Sequence, residues 1–168
     1  VSGFSKAYAM TGWRLGYLCA PAHLLAEMLK LHQYAIMCAP TTSQYAAIEA
    51  LRSCDEAVAE MLEEYDARRK VIVKGFNDLG LECREPKGAF YLMARLPVDD
   101  SDRFQQWLLE SFDDKGETVM FAPGAPFYET PGKGINEVRI AYVLKQEDLE
   151  RAMDVLAKGI SEYQRKVM

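Results

Sequence analysis

From residue 81 onward, short runs of strand-forming residues alternate with helical periods, and this order most constrains the fold. Residues 81–84, 89–94, 118–121 and 137–142 are predicted as strands. Residues 102–112 are predicted as a helix with Phe104, Trp107, Leu108 and Leu109 turned inward, and residues 146–163 as a closing amphipathic helix. The proline- and glycine-rich stretches 123–126 and 131–134 read as loops. Such an order gives an α/β sandwich, with helices over a mostly antiparallel sheet.

The first half is organised differently. Residues 14–19 read as a short buried strand ended by Ala20-Pro21. Leu24, Leu25, Met28, Leu29, Leu31 and Ile36 recur at helical spacing over residues 22–38, and Pro40 stops that helix. Thr41, Thr42 and Ser43 offer N-caps for the next, which runs through Tyr45, Ile48 and Leu51. A long helix over residues 55–79 follows, with Asp55 as N-cap and Gly80 in the left-handed closing position. Glu63, Glu64, Asp66, Arg68, Arg69 and Lys70 give it a charged face, read as solvated.

Composition narrows the function classes. With 168 residues, 49% hydrophobic and 27% charged, the chain is long enough for an ordinary core. A net charge of -5 without a basic patch gives no reason to expect a nucleic-acid partner. No apolar run reaches the ~20 residues of a membrane span. Cys19, Cys38, Cys54 and Cys83 are too irregularly spaced for a zinc site, and are expected as buried or half-buried free thiols in a reducing cytoplasm. His23 and His32 do not stand at metal-ligand spacing either, so no metal is expected.

The chemistry concentrates at the start, in the string Ser2-Gly3-Phe4-Ser5-Lys6-Ala7-Tyr8-Ala9-Met10-Thr11-Gly12-Trp13-Arg14-Leu15-Gly16-Tyr17. A lysine amine condenses with an aldehyde, and an arginine guanidinium grips a phosphate in a planar fork. Pyridoxal 5'-phosphate carries both groups. By spacing alone, Lys6 and Arg14 are read more simply as two of 20 basic residues on a solvated face. Arg139 has two readings as well. It lies between Val138 and Ile140 in a predicted strand, so it faces away from both, toward solvent or a cleft. Phe90 and Tyr91 read either as strand core or as the lining of a pocket.

The full string resembles the cofactor-lysine signature of class I/II aminotransferases, the fold-type I enzymes that use pyridoxal phosphate. The resemblance implies that Lys6 holds the cofactor, that Arg14 is a phosphate ligand and that Ser5 lies close to the phosphate. Many members carry a serine where this chain has Gly3; Ser2 or a backbone amide would stand in, and Gly3 tilts the likeness toward the aspartate-aminotransferase-like branch. Glu137-Val138-Arg139-Ile140-Ala141-Tyr142 is similar to the strand whose arginine holds the substrate α-carboxylate. Gly88-Ala89-Phe90-Tyr91 resembles a strand lining the substrate pocket, and Pro123-Gly124-x-x-Phe127 the loop before the arginine strand, with Phe127 shielding the site. Tyr8 and Trp13 are taken as structural.

The resemblance implies the C-terminal part of a fold-type I fold, mainly its small α/β sandwich domain. Residues 1–50 would be the remnant of the large cofactor-binding domain, and residues 51–168 the bridging helix and small domain. It implies amino-group transfer between an L-amino acid, aspartate-like above all, and a 2-oxo acid, in a cytoplasmic homodimer. The ring-binding aspartate, asparagine and tyrosine of the family precede its cofactor lysine and are not in this sequence. The chain is therefore expected to be a portion of a longer enzyme that binds cofactor weakly or not at all by itself. Two alternatives stay open: another pyridoxal-phosphate reaction on the same scaffold (a β-lyase, decarboxylase or synthase), and a non-catalytic small domain.

Overall fold

A computed structural model describes residues 1–167. The chain forms two compact units, one through Leu62 and one from Glu63 onward.

In the first unit, β1 (Ser2–Gly3) pairs antiparallel with β2 (Gly16–Tyr17), Ser2 opposite Tyr17 and Gly3 opposite Gly16. A Cβ on Gly16 would stand 3.0 Å from the Ser2 carbonyl oxygen, so the glycine permits this close pairing. Between the two strands lie α1 (Phe4–Ala7) and a 3₁₀ turn over Thr11–Trp13. Phe4 and Met10 are buried with Ala47 and Ala50 of α3 (Thr41–Ser53) in a small core.

Local expectations fail here for identifiable reasons. The strand predicted over residues 14–19 shrinks to two residues. Thr41, Thr42 and Ser43 lie inside α3 rather than capping it: Pro40 holds the cap position, and the Ser43 hydroxyl donates to the Trp13 carbonyl at 2.7 Å. α2 spans Ala22–Ala35 and buries none of its residues; Leu24, Met28, Leu29 and Leu31 are exposed. Cys19 and Cys38 are exposed free thiols rather than buried ones, while Cys54 and Cys83 are half-buried and free.

α4 (Asp55–Asp78) runs from the first unit into the second. The Cys54 carbonyl, not an Asp55 side chain, accepts from Val58 N–H at its start. Gly80 closes it at φ 66°, as predicted. Its charged face is only partly solvated. Arg68 bridges Glu64 and the Val143 carbonyl, and Arg69 bridges Asp66 and Glu85, so both arginines tether distant segments.

The second unit is built on a three-stranded antiparallel sheet of β3 (Tyr91–Arg95), β4 (Ala122–Pro123) and β5 (Glu137–Ala141), with β5 central. Leu92, Ala94 and Val138 point into a core shared with Ile72 and Phe76 of α4, Phe104 and Leu108 of α5 (Ser101–Glu110), and Leu149, Leu156 and Tyr163 of α6 (Gln146–Lys166). This is the expected α/β arrangement of helices on an antiparallel sheet. Asp100 caps α5 by accepting from the amides of Asp102 and Arg103.

Two predicted strands are not formed. Residues 81–84 contribute one bridge, Cys83 to Ala94. Residues 118–121 pair with no strand among the described residues; the Phe121 amide donates to the Gln105 side-chain oxygen at 2.7 Å instead. Leu109, expected inward, is 54% exposed, and Trp107 is half-buried. Among the described residues no helix is long and apolar enough to cross a membrane.

The Tyr163 hydroxyl, fully buried, donates to Asp99 Oδ1 at 2.8 Å. Burial, then this hydrogen bond, pushes the phenol up to about 12 from 10.0. The same bond holds the Asp99 carboxyl below the usual carboxylate range. The unfolded phenol loses its proton first, so the stability present below about pH 10 is lost as pH rises through about 12. Asp99 acts with the opposite sign, its contribution being lost as pH falls through its lowered value. Tyr163→Phe is expected to flatten the alkaline limb of stability. Urea midpoints measured at neutral and strongly alkaline pH check this, and an alkaline slope unchanged by the substitution contradicts it.

Candidate active site

The loop joining β1 to β2 carries Ser5, Lys6 and Arg14. Its conformation is over-determined. Phe4 is buried, its ring 5.4 Å from that of Tyr8 and 5.6 Å from that of Tyr17, and its amide donates to the Leu15 carbonyl at 3.2 Å. Lys6 follows two residues later on the exposed side of α1, with Ser5 half-buried beside it. Ala9 (φ 53°) and Arg14 (φ 52°) are left-handed, two of five such non-glycine residues among the described residues. Each costs of order 1–3 kcal/mol, and residues held in such conformations cluster at functional sites. Arg14 is exposed, and its guanidinium donates to the Thr11 carbonyl at 3.3 Å. No acidic residue lies between Val1 and Ala26, so the loop presents an amine, a hydroxyl and a guanidinium in a cationic setting.

The second unit holds Arg139. It lies on β5 opposite Met93 of β3 and Ala122 of β4, on the sheet face away from the core side chains Val138 and Ile140. This is the orientation that strand alternation predicts. Its guanidinium carbon sits 4.5 Å from the centre of the Tyr91 ring and 4.6 Å from that of Phe127, within cation–π range of both. Phe127 belongs to a 3₁₀ turn over Ala125–Phe127. Among the described residues no carboxylate pairs with Arg139, whereas Arg95 on the same face pairs with Glu82 and Glu137. Arg139 thus keeps a planar fork with its rings in place and its hydrogen bonds uncommitted to an acid.

Phe90 and Tyr91 have different surroundings. Tyr91 touches Arg139; Phe90 stacks on Tyr65 of α4 at 5.2 Å and packs against the core. The stacking of Tyr65 and the hydrogen bond between Tyr128 and Glu137 (2.5 Å) were not anticipated from sequence. Glu137 stands two residues before Arg139 and therefore on the same face, a spacing that could have marked it.

The model of the family "Aminotransferase class I and II" matches residues 1–156. The chain belongs to this family. Among its relatives, a putative aminotransferase of Bacillus subtilis is 42% identical over 155 residues, covering 91% of this chain and 38% of the relative. The aspartate aminotransferase of Pyrococcus horikoshii is 42% identical over 164 residues, covering 95% and 40%. The aromatic-amino-acid aminotransferase 2 of Thermococcus litoralis is 40% identical over 166 residues, covering 96% and 41%. A crystal structure of an aromatic aminotransferase from Pyrococcus horikoshii superposes with a TM-score of 0.81 at 39% identity, over 96% of this chain and 42% of that one. The class I/II aminotransferase chain therefore spans about two fifths of the length of the curated relatives it matches.

The cofactor of class I/II aminotransferases is pyridoxal 5'-phosphate, and the β1–β2 loop fits it chemically. An aldehyde needs an amine, which Lys6 has; a phosphate needs fixed cationic and hydroxyl donors, which Arg14 and Ser5 have, with no carboxylate nearby in sequence to compete.

Proposed function

We propose that residues 1–168 are the C-terminal portion of a longer pyridoxal-phosphate-dependent aminotransferase, which moves an amino group between an L-amino acid and a 2-oxo acid. In this reading residues 1–50 belong to the large cofactor-binding domain, and residues 51–168 to the bridging helix and small domain. The enzyme acts by alternating half-reactions, as a cytoplasmic homodimer, with an aspartate-like substrate foremost. The observation that carries the reading is Arg139: a guanidinium flanked by Tyr91 and Phe127 and, among the described residues, paired with no acid suits the α-carboxylate of an amino acid.

When bound, pyridoxal phosphate supplies an aldehyde and an electron-withdrawing ring. The side chains do the rest. Arg14 and Ser5 would hold the phosphate. Lys6 would hold the cofactor through its amine. Released from the cofactor, the Lys6 Nζ would be the group that accepts the substrate α-proton and then gives one up, serving as general base and then general acid. Arg139 orients the substrate by its carboxylate, and the Phe127 and Tyr91 rings limit water around the fork.

The test is transfer in the full-length protein, with aspartate, aromatic and alanine donors and 2-oxoglutarate as acceptor. Transfer from aspartate is the expected result. Release of ammonia or carbon dioxide without transfer would favour a lyase or decarboxylase on the same scaffold. Arg139→Lys keeps the charge but loses the planar fork. With charge-assisted hydrogen bonds worth ~1.5–3 kcal/mol, kcat/KM is expected to fall about 10- to 100-fold. An unchanged kcat/KM would remove Arg139 from the site.

A further inference from the structure

Phe127 is 48% exposed, so burial alone does not hold its ring against Arg139. The turn that carries it is tied down at both ends, and each tie leads to Glu137. At the start, Gly124 N–H donates to the Glu137 carbonyl at 2.7 Å. A Cβ on Gly124 would lie 2.6 Å from that oxygen, so only glycine allows the approach. At the end, the Tyr128 hydroxyl donates to Glu137 Oε2 at 2.5 Å, while Arg95 donates to Glu137 Oε1 at 3.1 Å. Gly134 makes room for the Tyr128 ring: a Cβ there would meet it at 2.5 Å, and its φ of 71° favours glycine besides.

We propose that Tyr128, Glu137 and Arg95 form a positioning clamp that holds the Phe127 ring on Arg139 and so fixes the direction of the guanidinium fork. The clamp deepens the reading of Arg139 as the carboxylate-binding residue and rests on it. None of the three need touch substrate; they act through Phe127. Glu137 is suited to the task because one carboxylate accepts from both partners at separate oxygens, joining the turn to the β3–β5 ladder. The arrangement places a polar anchor and the fork it serves two residues apart on one strand face.

Nuclear magnetic resonance of the arginine Nε–Hε groups in the 168-residue chain tests this without requiring activity. Between two aromatic rings the Arg139 resonance is expected upfield of the others, and its loss in Arg139→Lys assigns it. Tyr128→Phe keeps the ring and removes only the hydroxyl, so a role confined to packing would leave the resonance in place. The clamp predicts that it moves toward the other arginines, and that Glu137→Gln, which weakens both ties, moves it the same way. An Arg139 resonance unmoved in either folded variant overturns the clamp. Addition of acetate separates the two claims. The wild-type Arg139 resonance is expected to respond, and less so in Tyr128→Phe. A ring-shifted resonance that ignores acetate would defeat the carboxylate reading and leave the clamp standing.

Discussion

Replacing Lys6 by alanine is expected to lower amino-group transfer in the full-length protein by at least about 10²- to 10⁴-fold, the usual contribution of a positioned general base. The true loss should exceed this, because the same amine also holds the cofactor. Arg14 and Ser5 remain in Lys6→Ala, so the phosphate keeps its proposed ligands. The defect should therefore fall on kcat, with cofactor still retained but no longer covalently. Steady-state transfer assays with a visible spectrum of the variant check both parts. Transfer at the wild-type rate would exclude Lys6 from the chemistry. The structural ground for the expectation is the β1–β2 loop, in which the buried Phe4 ring and two left-handed residues set the backbone around an exposed lysine.

Phe104→Ala is expected to destabilise the second unit by ~3–5 kcal/mol, the range for emptying a buried aromatic site. That is a large part of the ~5–15 kcal/mol that stabilises a typical domain. Phe104 is fully buried, and its ring lies 5.0 Å from that of Tyr163, 5.9 Å from Phe121 and 6.3 Å from Trp107. It thus joins α5, α6 and the segment before β4. The loss cannot be made good by closer approach of α6: at Gly159 even an added Cβ would stand 2.8 Å from Leu108, so the helices are already at contact distance. Leu109→Ala on the same helix is the control. Its exposed side chain should change stability by no more than about 0.5 kcal/mol. Urea unfolding of both variants decides; equal effects would contradict this placement of the core.

How far these features were legible in sequence depended on how local their causes were. The faces of β5 followed from alternation, so Val138 pointed inward and Arg139 outward as expected. Gly80 and the long α4 helix were likewise set by local conformational preference. Periodicity found α2, but it could not say that Leu24, Met28 and Leu31 would stay exposed in this chain, because a stripe does not name its partner. The strand expected over residues 118–121 failed for a similar reason: strand propensity needs a paired neighbour, and the Phe121 amide found the Gln105 side chain instead. Leu109 shows how narrow the inward arc of α5 is, with Leu108 buried and its neighbour exposed.

Within the candidate site, residue types were legible and their supports were not. Lys6, Arg14 and Arg139 stand out by chemistry and by the strings around them. The left-handed backbone at Arg14 carries no glycine to announce it. The tie from Tyr128 to Glu137 depends on an unusual glycine conformation at Gly134, ten residues after Gly124, which no spacing rule gives.

Reductive trapping of the cofactor on the full-length protein, followed by mass mapping of the labelled peptide, tests whether Lys6 is the cofactor lysine. The added pyridoxyl mass is expected on Lys6. The same mass on another lysine, or none on a protein saturated with cofactor, would contradict it.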